Sequence, residues 1–114
     1  GKSFMSENWN HVADTGDIEE EDVMEAKVGD LELAIYNVEG NFYATSNICT
    51  HGQAQMSEGI VIDNIIECPL HQGRFHIPTG APKGAPVSEA LTTYPVKVED
   101  GKVYVDVGGD AGEG

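Results

Sequence analysis

Two short segments hold both cysteines of this 114-residue chain, and each cysteine is followed closely by a histidine. The first pair is Cys49-x-His51 and the second is Cys68-x-x-His71, with sixteen residues between the pairs. Cysteine thiolates and histidine imidazoles are the ligands that thiophilic metals prefer. The spacing therefore predicts a metal centre with Cys49, His51, Cys68 and His71 as ligands, and it favours this over a catalytic nucleophile.

Two kinds of metal centre suit these ligands. Two cysteines and two histidines are a legitimate tetrahedral zinc set, but zinc fingers usually take like ligands from the same loop, and here each loop supplies one of each kind. Mixed loops suit two adjacent irons, with Cys49 and Cys68 on one, His51 and His71 on the other, and two bridging sulfides. A disulfide is the third use of the cysteines, which a reducing compartment disfavours.

Composition excludes several classes of partner. Twenty acidic against six basic residues give a net charge of −14, so nucleic acid and anionic membranes would repel the protein. The same charge favours brief docking on basic protein surfaces. The longest apolar run is far shorter than the ~18 residues of a membrane span, and the first residues lack the pattern of an export signal. We therefore expect a cytoplasmic protein, folded as one domain over residues 1–114.

Short alternating segments bounded by turn residues predict an all-β fold. In residues 31–38, Leu31, Leu33 and Ile35 alternate with Glu32 and Ala34, the period of a half-buried strand. The predicted strands are 9–13, 23–28, 31–38, 42–45, 60–62, 65–67, 74–77, 94–99 and 102–107. These short antiparallel strands would form stacked sheets.

Two loops that interrupt this strand pattern contain the metal ligands. We expect them to form a metal-binding subdomain at about residues 47–80, inserted between the strands. Residues 108–114 are predicted to be a mobile tail.

The two ligand segments resemble the signature of a known family. C-T-H-G and C-P-L-H-Q-G are similar to the Rieske pattern of C-x-H and C-x-x-H, including Gly52, Pro69 and Gly73. The resemblance extends to the segments 42–45, 66–67, 85–87 and 94–97, and covers roughly residues 9–107. These segments resemble the small ferredoxin components of bacterial aromatic-ring dioxygenases, those of naphthalene dioxygenase systems in particular.

This resemblance implies a function as well as a fold. It implies a Rieske fold with one [2Fe-2S] cluster held by Cys49, His51, Cys68 and His71, in an electron carrier that is not itself an enzyme. The partners implied are a flavin-containing ferredoxin reductase and a terminal oxygenase, and we expect the carrier to be a monomer. Three alternatives stay open: a ferredoxin of another oxygenase such as a salicylate hydroxylase, a Rieske-like small subunit of nitrite reductase, and a structural zinc module.

The ligand loops differ from those of high-potential Rieske proteins, and the differences predict a low reduction potential. High-potential Rieske proteins carry an extra cysteine in each loop, where this chain has Ala54 and Leu70, and hydroxyl donors where it has Gly73 and Phe75. Fewer hydrogen bonds to the sulfurs destabilise the added electron. We therefore expect a potential of about −150 mV, at the low end of the Rieske range.

Two histidines, His11 and His76, lie outside the ligand pattern. If Phe75 and Ile77 face inward on a strand, His76 faces solvent, and we expect no ligand role for either histidine.

Overall fold

The computed structural model describes residues 9–48, 55–69, 73–83 and 90–107. Regular structure in these ranges is β-strand, apart from two single-turn 3-10 helices at Thr15–Asp17 and Met56–Glu58. The strands are β1 (Trp9–Asp14), β2 (Asp22–Val28), β3 (Leu31–Val38), β4 (Asn41–Ser46), β5 (Ile60–Ile62), β6 (Ile65–Glu67), β7 (Arg74–His76), β8 (Thr93–Tyr94), β9 (Val96–Glu99) and β10 (Lys102–Asp106). Within the same ranges, no helix has the length and apolar character that crossing a membrane requires.

The strands form three antiparallel sheets, and this confirms the predicted fold class. Their orders are β1-β10-β9, β2-β3-β4-β8 and β5-β6-β7. Most strands begin and end within one residue of the predicted bounds, because turn residues separate them. At the Asp100-Gly101 turn both residues have positive φ, at 54° and 78°, as a two-residue type I′ hairpin requires. The predicted tail at 108–114 lies outside the described residues.

Strand β3 lies between two hydrophobic cores. The loop-side core comprises Ala34, Tyr36, Val38, Met56, Val61, Ile66, Cys68, Phe75, Ile77 and Leu91. The terminal core comprises Ala13, Ile18, Leu33, Ile35, Ala44, Val103, Val105 and Val107. Alternate side chains of β3 enter opposite cores, as the period of two in a strand dictates.

The prediction that β3 is half-buried was therefore wrong. Every residue from Leu33 to Val38 is buried, and Asn37 satisfies its side chain by donating a hydrogen bond to the carbonyl oxygen of Ile18 at 2.8 Å. A strand covered on both faces has apolar residues at odd and even positions alike. The alternation of Leu31, Leu33 and Ile35 marked one face correctly, but it concealed the second.

The predicted single strand at 94–99 was also wrong, because Pro95 divides it. Strand β8 pairs with β4, whereas β9 pairs with β10 in another sheet. Proline has no backbone N–H to donate to a strand ladder. Its carbonyl oxygen still accepts a hydrogen bond from the Asp106 N–H at 3.1 Å, so the chain crosses between the sheets at Pro95.

Tyr36 makes the stability of the loop-side core depend on pH. Its side chain is fully buried, and its hydroxyl lies 2.8 Å from Oγ1 of Thr45. Burial raises the pKa of Tyr36 well above its ordinary value, against a smaller lowering by the Thr45 hydrogen bond, because the phenolate would lose its hydration. The folded protein therefore keeps the phenolic proton at a pH where the unfolded chain loses it.

We predict that Tyr36→Phe flattens the loss of stability in alkali. The contribution of Tyr36 is fully present below about pH 10, the unfolded pKa, and above it is lost by up to about 1.4 kcal/mol per pH unit. Denaturant titrations between pH 7 and pH 11 would show a shallower decline in the variant. Thr45→Val removes the hydrogen bond but keeps the phenol, so it should decline as steeply as the wild type. Equal slopes for Tyr36→Phe and the wild type would contradict the prediction.

Candidate metal centre

The second ligand loop is closed at its base by the β6–β7 pair. Glu67 and Arg74 are cross-strand partners in this pair. Directly beyond them, the Cys68 N–H donates a hydrogen bond to the carbonyl oxygen of Gly73 at 2.6 Å. Cys68 and Gly73 are both buried, so the cysteine is held at the base of the loop, with its side chain in the loop-side core.

The first ligand loop is closed by hydrogen bonds to Asn47. The Met56 N–H donates to the Asn47 carbonyl oxygen at 2.6 Å, and the Ser57 N–H donates to Asn47 Oδ1 at 2.8 Å. Ile48 also pairs with Gln55 in a single antiparallel β-bridge. Residues 47–48 and 55–57 therefore form a short paired stem that continues from β4.

The bases of the two loops lie side by side. Met56 and Cys68 belong to the same buried core. Both segments line a cavity of about 220 Å³, whose lining residues are Glu58, Gly59, Ile60, Glu67, Cys68 and Pro69. A methyl group at Gly59 would overlap the carbonyl oxygen of Glu67, so only glycine allows this close backbone approach.

Of the four predicted ligands, the structure places Cys68. Its side chain is fully buried in the loop-side core. Cys49, His51 and His71 lie outside the described residues, as does Gly52. The complete ligand set therefore stays a prediction, and the described structure supplies the bases of the two loops that carry it.

The described residues fit an iron–sulfur cluster. Cys68 is fully buried, and a bound metal ion would supply the positive charge that a thiolate in such a place requires. Next to the first loop, Nδ2 of Asn47 is buried and has no hydrogen-bond partner among the described residues. Such a donor suits an electron-rich acceptor nearby, and the sulfurs of a cluster are acceptors of this kind.

Acidic and apolar side chains surround the loop bases. Glu58 and Glu67 line the cavity beside Cys68, and Nε of Arg74 lies 4.0 Å from the Glu67 carboxylate. The Arg74 side chain is largely exposed and the distance is long for an ion pair, so this contact contributes little stability. Ile48, at the base of the first loop, is 39% exposed, and Ile60 and Ile62, which share one face of β5, are 61% and 49% exposed. Apolar side chains are thus exposed at the loop bases and along β5.

The two remaining histidines lie away from the loop bases. His76 is half-buried rather than fully solvated, and its Nδ1 lies 2.9 Å from Oγ1 of Thr79. His11 is exposed, with Nε2 at 2.9 Å from the Asp14 carboxylate. Phe75 on β7 and Ile77, directly after it, are both fully buried, so both face inward as predicted.

Two residues of the loop bases were not assigned a role from the sequence. Asn47 marked only the start of the first loop, and Gly59 carried no signal at all. A polar residue directly before a ligand loop is a possible indicator of a capped loop, since Asn side chains often bond to nearby backbone N–H groups. For Gly59 nothing local indicates the approach of Glu67, which is a tertiary contact.

The chain is similar to proteins of one family along most of its length. The family model of the Rieske [2Fe-2S] domain matches residues 8–95. The ferredoxin component of the naphthalene 1,2-dioxygenase/salicylate 5-hydroxylase systems of Ralstonia sp is 50% identical over 101 residues, which cover 89% of this chain and 97% of that protein. The naphthalene 1,2-dioxygenase ferredoxin component of Pseudomonas aeruginosa is 48% identical over 103 residues, covering 90% and 99%.

Solved structures show the same fold. The Sphingomonas yanoikuyae B1 ferredoxin matches with a TM-score of 0.83 and 38% identity, covering 87% of this chain and 98% of that one. A chain in the complex of reduced oxygenase and oxidized ferredoxin of carbazole 1,9a-dioxygenase matches with a TM-score of 0.82 and 38% identity, covering 89% and 94%.

We predict that Gly59→Ala destabilises the protein by about 1–3 kcal/mol, the usual cost of forcing extra atoms into a packed site. The added methyl would push the segment after the first loop away from Glu67, which precedes Cys68. Gly16→Ala is the matched control, because a methyl group there has no atom within 4 Å. Denaturant titration would give both stabilities, and an equal effect of the two substitutions would contradict the close-approach argument.

Proposed function

This chain belongs to the Rieske [2Fe-2S] ferredoxins of aromatic-ring dioxygenase systems, and we propose that it passes single electrons from a flavoprotein ferredoxin reductase to a terminal ring-hydroxylating oxygenase. The observation that carries the proposal is the pair of adjacent, closed loop bases, each leading into a segment with one cysteine and one histidine. Such proteins are electron-transfer components rather than enzymes. Catalysis belongs to the oxygenase.

The four predicted ligands divide between two irons in this proposal. Cys49 and Cys68 would hold one iron, and His51 and His71 would hold the other. A bound [2Fe-2S] cluster supplies one-electron chemistry that amino-acid side chains lack. Cys68 is buried, so the cysteine side faces the loop-side core. Neutral imidazoles need no shielding from water, so His51 and His71 would be the ligands through which partners exchange electrons.

Relatives support the proposed partners. The similar proteins from Ralstonia sp and Pseudomonas aeruginosa are ferredoxin components of naphthalene 1,2-dioxygenase systems, and the carbazole ferredoxin is in a complex with its oxygenase. The Ralstonia ferredoxin is also named for salicylate 5-hydroxylase. This favours a second candidate function for the present chain, in which one carrier serves a ring dioxygenase and a salicylate hydroxylase.

The surface beside the loops is suited to brief docking. Exposed Ile60 and Ile62 supply apolar contact, and the exposed Glu58 supplies negative charge near Ile60. With a net charge of −14, the protein would be attracted to a basic partner surface, which raises the association rate more than the affinity. A carrier that must leave one partner to reach the next benefits from this balance.

We predict that the reduced protein contains two irons and two sulfides and gives a rhombic electron paramagnetic resonance signal with average g below the free-electron value. A redox titration of the same sample should give about −150 mV. The Cys68→Ser variant should lack the signal and contain little iron, because a serine hydroxyl binds iron far more weakly than a cysteine thiolate does. A colourless wild-type protein with one zinc would instead establish a structural zinc module.

We predict that docking depends on Ile60. In an assay reconstituted with a flavoprotein reductase and a naphthalene-type oxygenase, Ile60→Ala should lower the apparent affinity about fivefold, for about 1 kcal/mol of lost apolar contact. Val98→Ala is the matched control, since Val98 is 48% exposed but lies on β9 in another sheet. Added salt should slow product formation for all variants. Equal effects at Ile60 and Val98 would place the docking surface elsewhere.

A further inference from the structure

Asn47 has three of its hydrogen-bonding groups engaged in positioning the first ligand loop. Its N–H donates to the carbonyl oxygen of Glu32 in β3 at 3.0 Å. Its carbonyl oxygen and its Oδ1 accept the N–H groups of Met56 and Ser57, at 2.6 Å and 2.8 Å. The residue thus ties both ends of the segment 48–55 to the central strand.

The fourth group, the side-chain NH₂, is buried. Asn47 is fully buried, and its Nδ2 has no hydrogen-bond partner among the described residues. The two other asparagine side chains that are held in the fold have Nδ2 partners: Asn10 donates to Val105 and Asn37 to Ile18. A buried donor without an acceptor has lost its hydrogen bonds to water without replacement, so such groups are rare in folded proteins.

The orientation of the amide is determined by Ser57. Rotating the side-chain amide by half a turn would place Nδ2 against the Ser57 N–H, and two donors would then face each other. Oδ1 therefore points to Ser57, and the NH₂ group is fixed on the other side of the same carbon. A neutral donor is thereby held in position two residues before Cys49.

We propose that Nδ2 of Asn47 donates a hydrogen bond to a sulfur of the [2Fe-2S] cluster, either a bridging sulfide or a cysteine sulfur, and so raises its reduction potential. The inference rests on the proposed function, because it requires the cluster within the loop that Asn47 closes. A reduced cluster carries one more negative charge than an oxidised one, and N–H donors to its sulfurs stabilise that charge. Asn47 then closes the base of the loop and also helps to set the reduction potential. This second role matters because Gly73 and Phe75 offer no hydroxyl donors.

Asn47→Asp separates these two roles. The aspartate retains an oxygen that accepts the Ser57 N–H, but it has no N–H to donate. We expect the variant to assemble the cluster. Its reduction potential should lie about 59 mV below that of its control, which is a tenfold shift of the one-electron equilibrium towards the oxidised form. Gln55→Glu is the matched control, because it makes the same amide-to-carboxylate change on the residue that pairs with Ile48 at this loop base.

A second measurement identifies the donor directly. Pulsed electron paramagnetic resonance on reduced protein, labelled with ¹⁵N only in the asparagine side-chain amides, should show a weak ¹⁵N coupling to the cluster. The coupling should disappear in Asn47→Asp and persist in Gln55→Glu. If Asn47→Asp fails to take up the cluster, the presence or absence of the coupling in the wild type decides alone.

The possible failures are distinguishable. A wild-type protein with the Rieske signal but without the ¹⁵N coupling would overturn the role of Asn47 and leave the electron carrier in place, with a backbone carbonyl or a buried water as the acceptor. Equal potential shifts in Asn47→Asp and Gln55→Glu would overturn it as well. A wild-type protein without the Rieske signal would remove the proposed function itself, and the inference with it.

Discussion

The burial of β3 on both faces is the constraint on which the rest of this structure depends. Leu33 and Ile35 enter the terminal core, whereas Ala34, Tyr36 and Val38 enter the loop-side core. A strand in this position packs against both hydrophobic cores at once. It also sets the location of the first ligand loop, because the carbonyl oxygen of Glu32 on β3 accepts the N–H of Asn47.

An electron carrier of this kind combines a rigid interior with a partner surface that binds only briefly. Rigidity comes from short stems: each ligand loop leaves the fold between paired backbone segments, and Cys68 lies at the base of one of them. Transient binding is suited by the few exposed isoleucines beside the loops and by the strongly negative charge.

The structure of such a carrier does not indicate which compound is finally oxidised. The substrate binds to the oxygenase, so the ferredoxin needs a suitable potential and a suitable docking surface but no pocket for an aromatic ring. A relative that is named for both a dioxygenase and a salicylate hydroxylase is consistent with that view. The potential, by contrast, depends on individual donors around the sulfurs, and for that reason Asn47 matters.

Local chemistry was readable from the sequence alone. The types and spacing of Cys49, His51, Cys68 and His71 indicated the cluster, and turn residues such as Asp100-Gly101 bounded the strands, because both signals depend on near neighbours in the chain. Other features depended on tertiary contacts: the second buried face of β3, the change of sheet at Pro95, the approach of Gly59 to Glu67 and the buried amide of Asn47. Each arises from residues distant in the sequence, and packing between sheets has no signature in a local pattern.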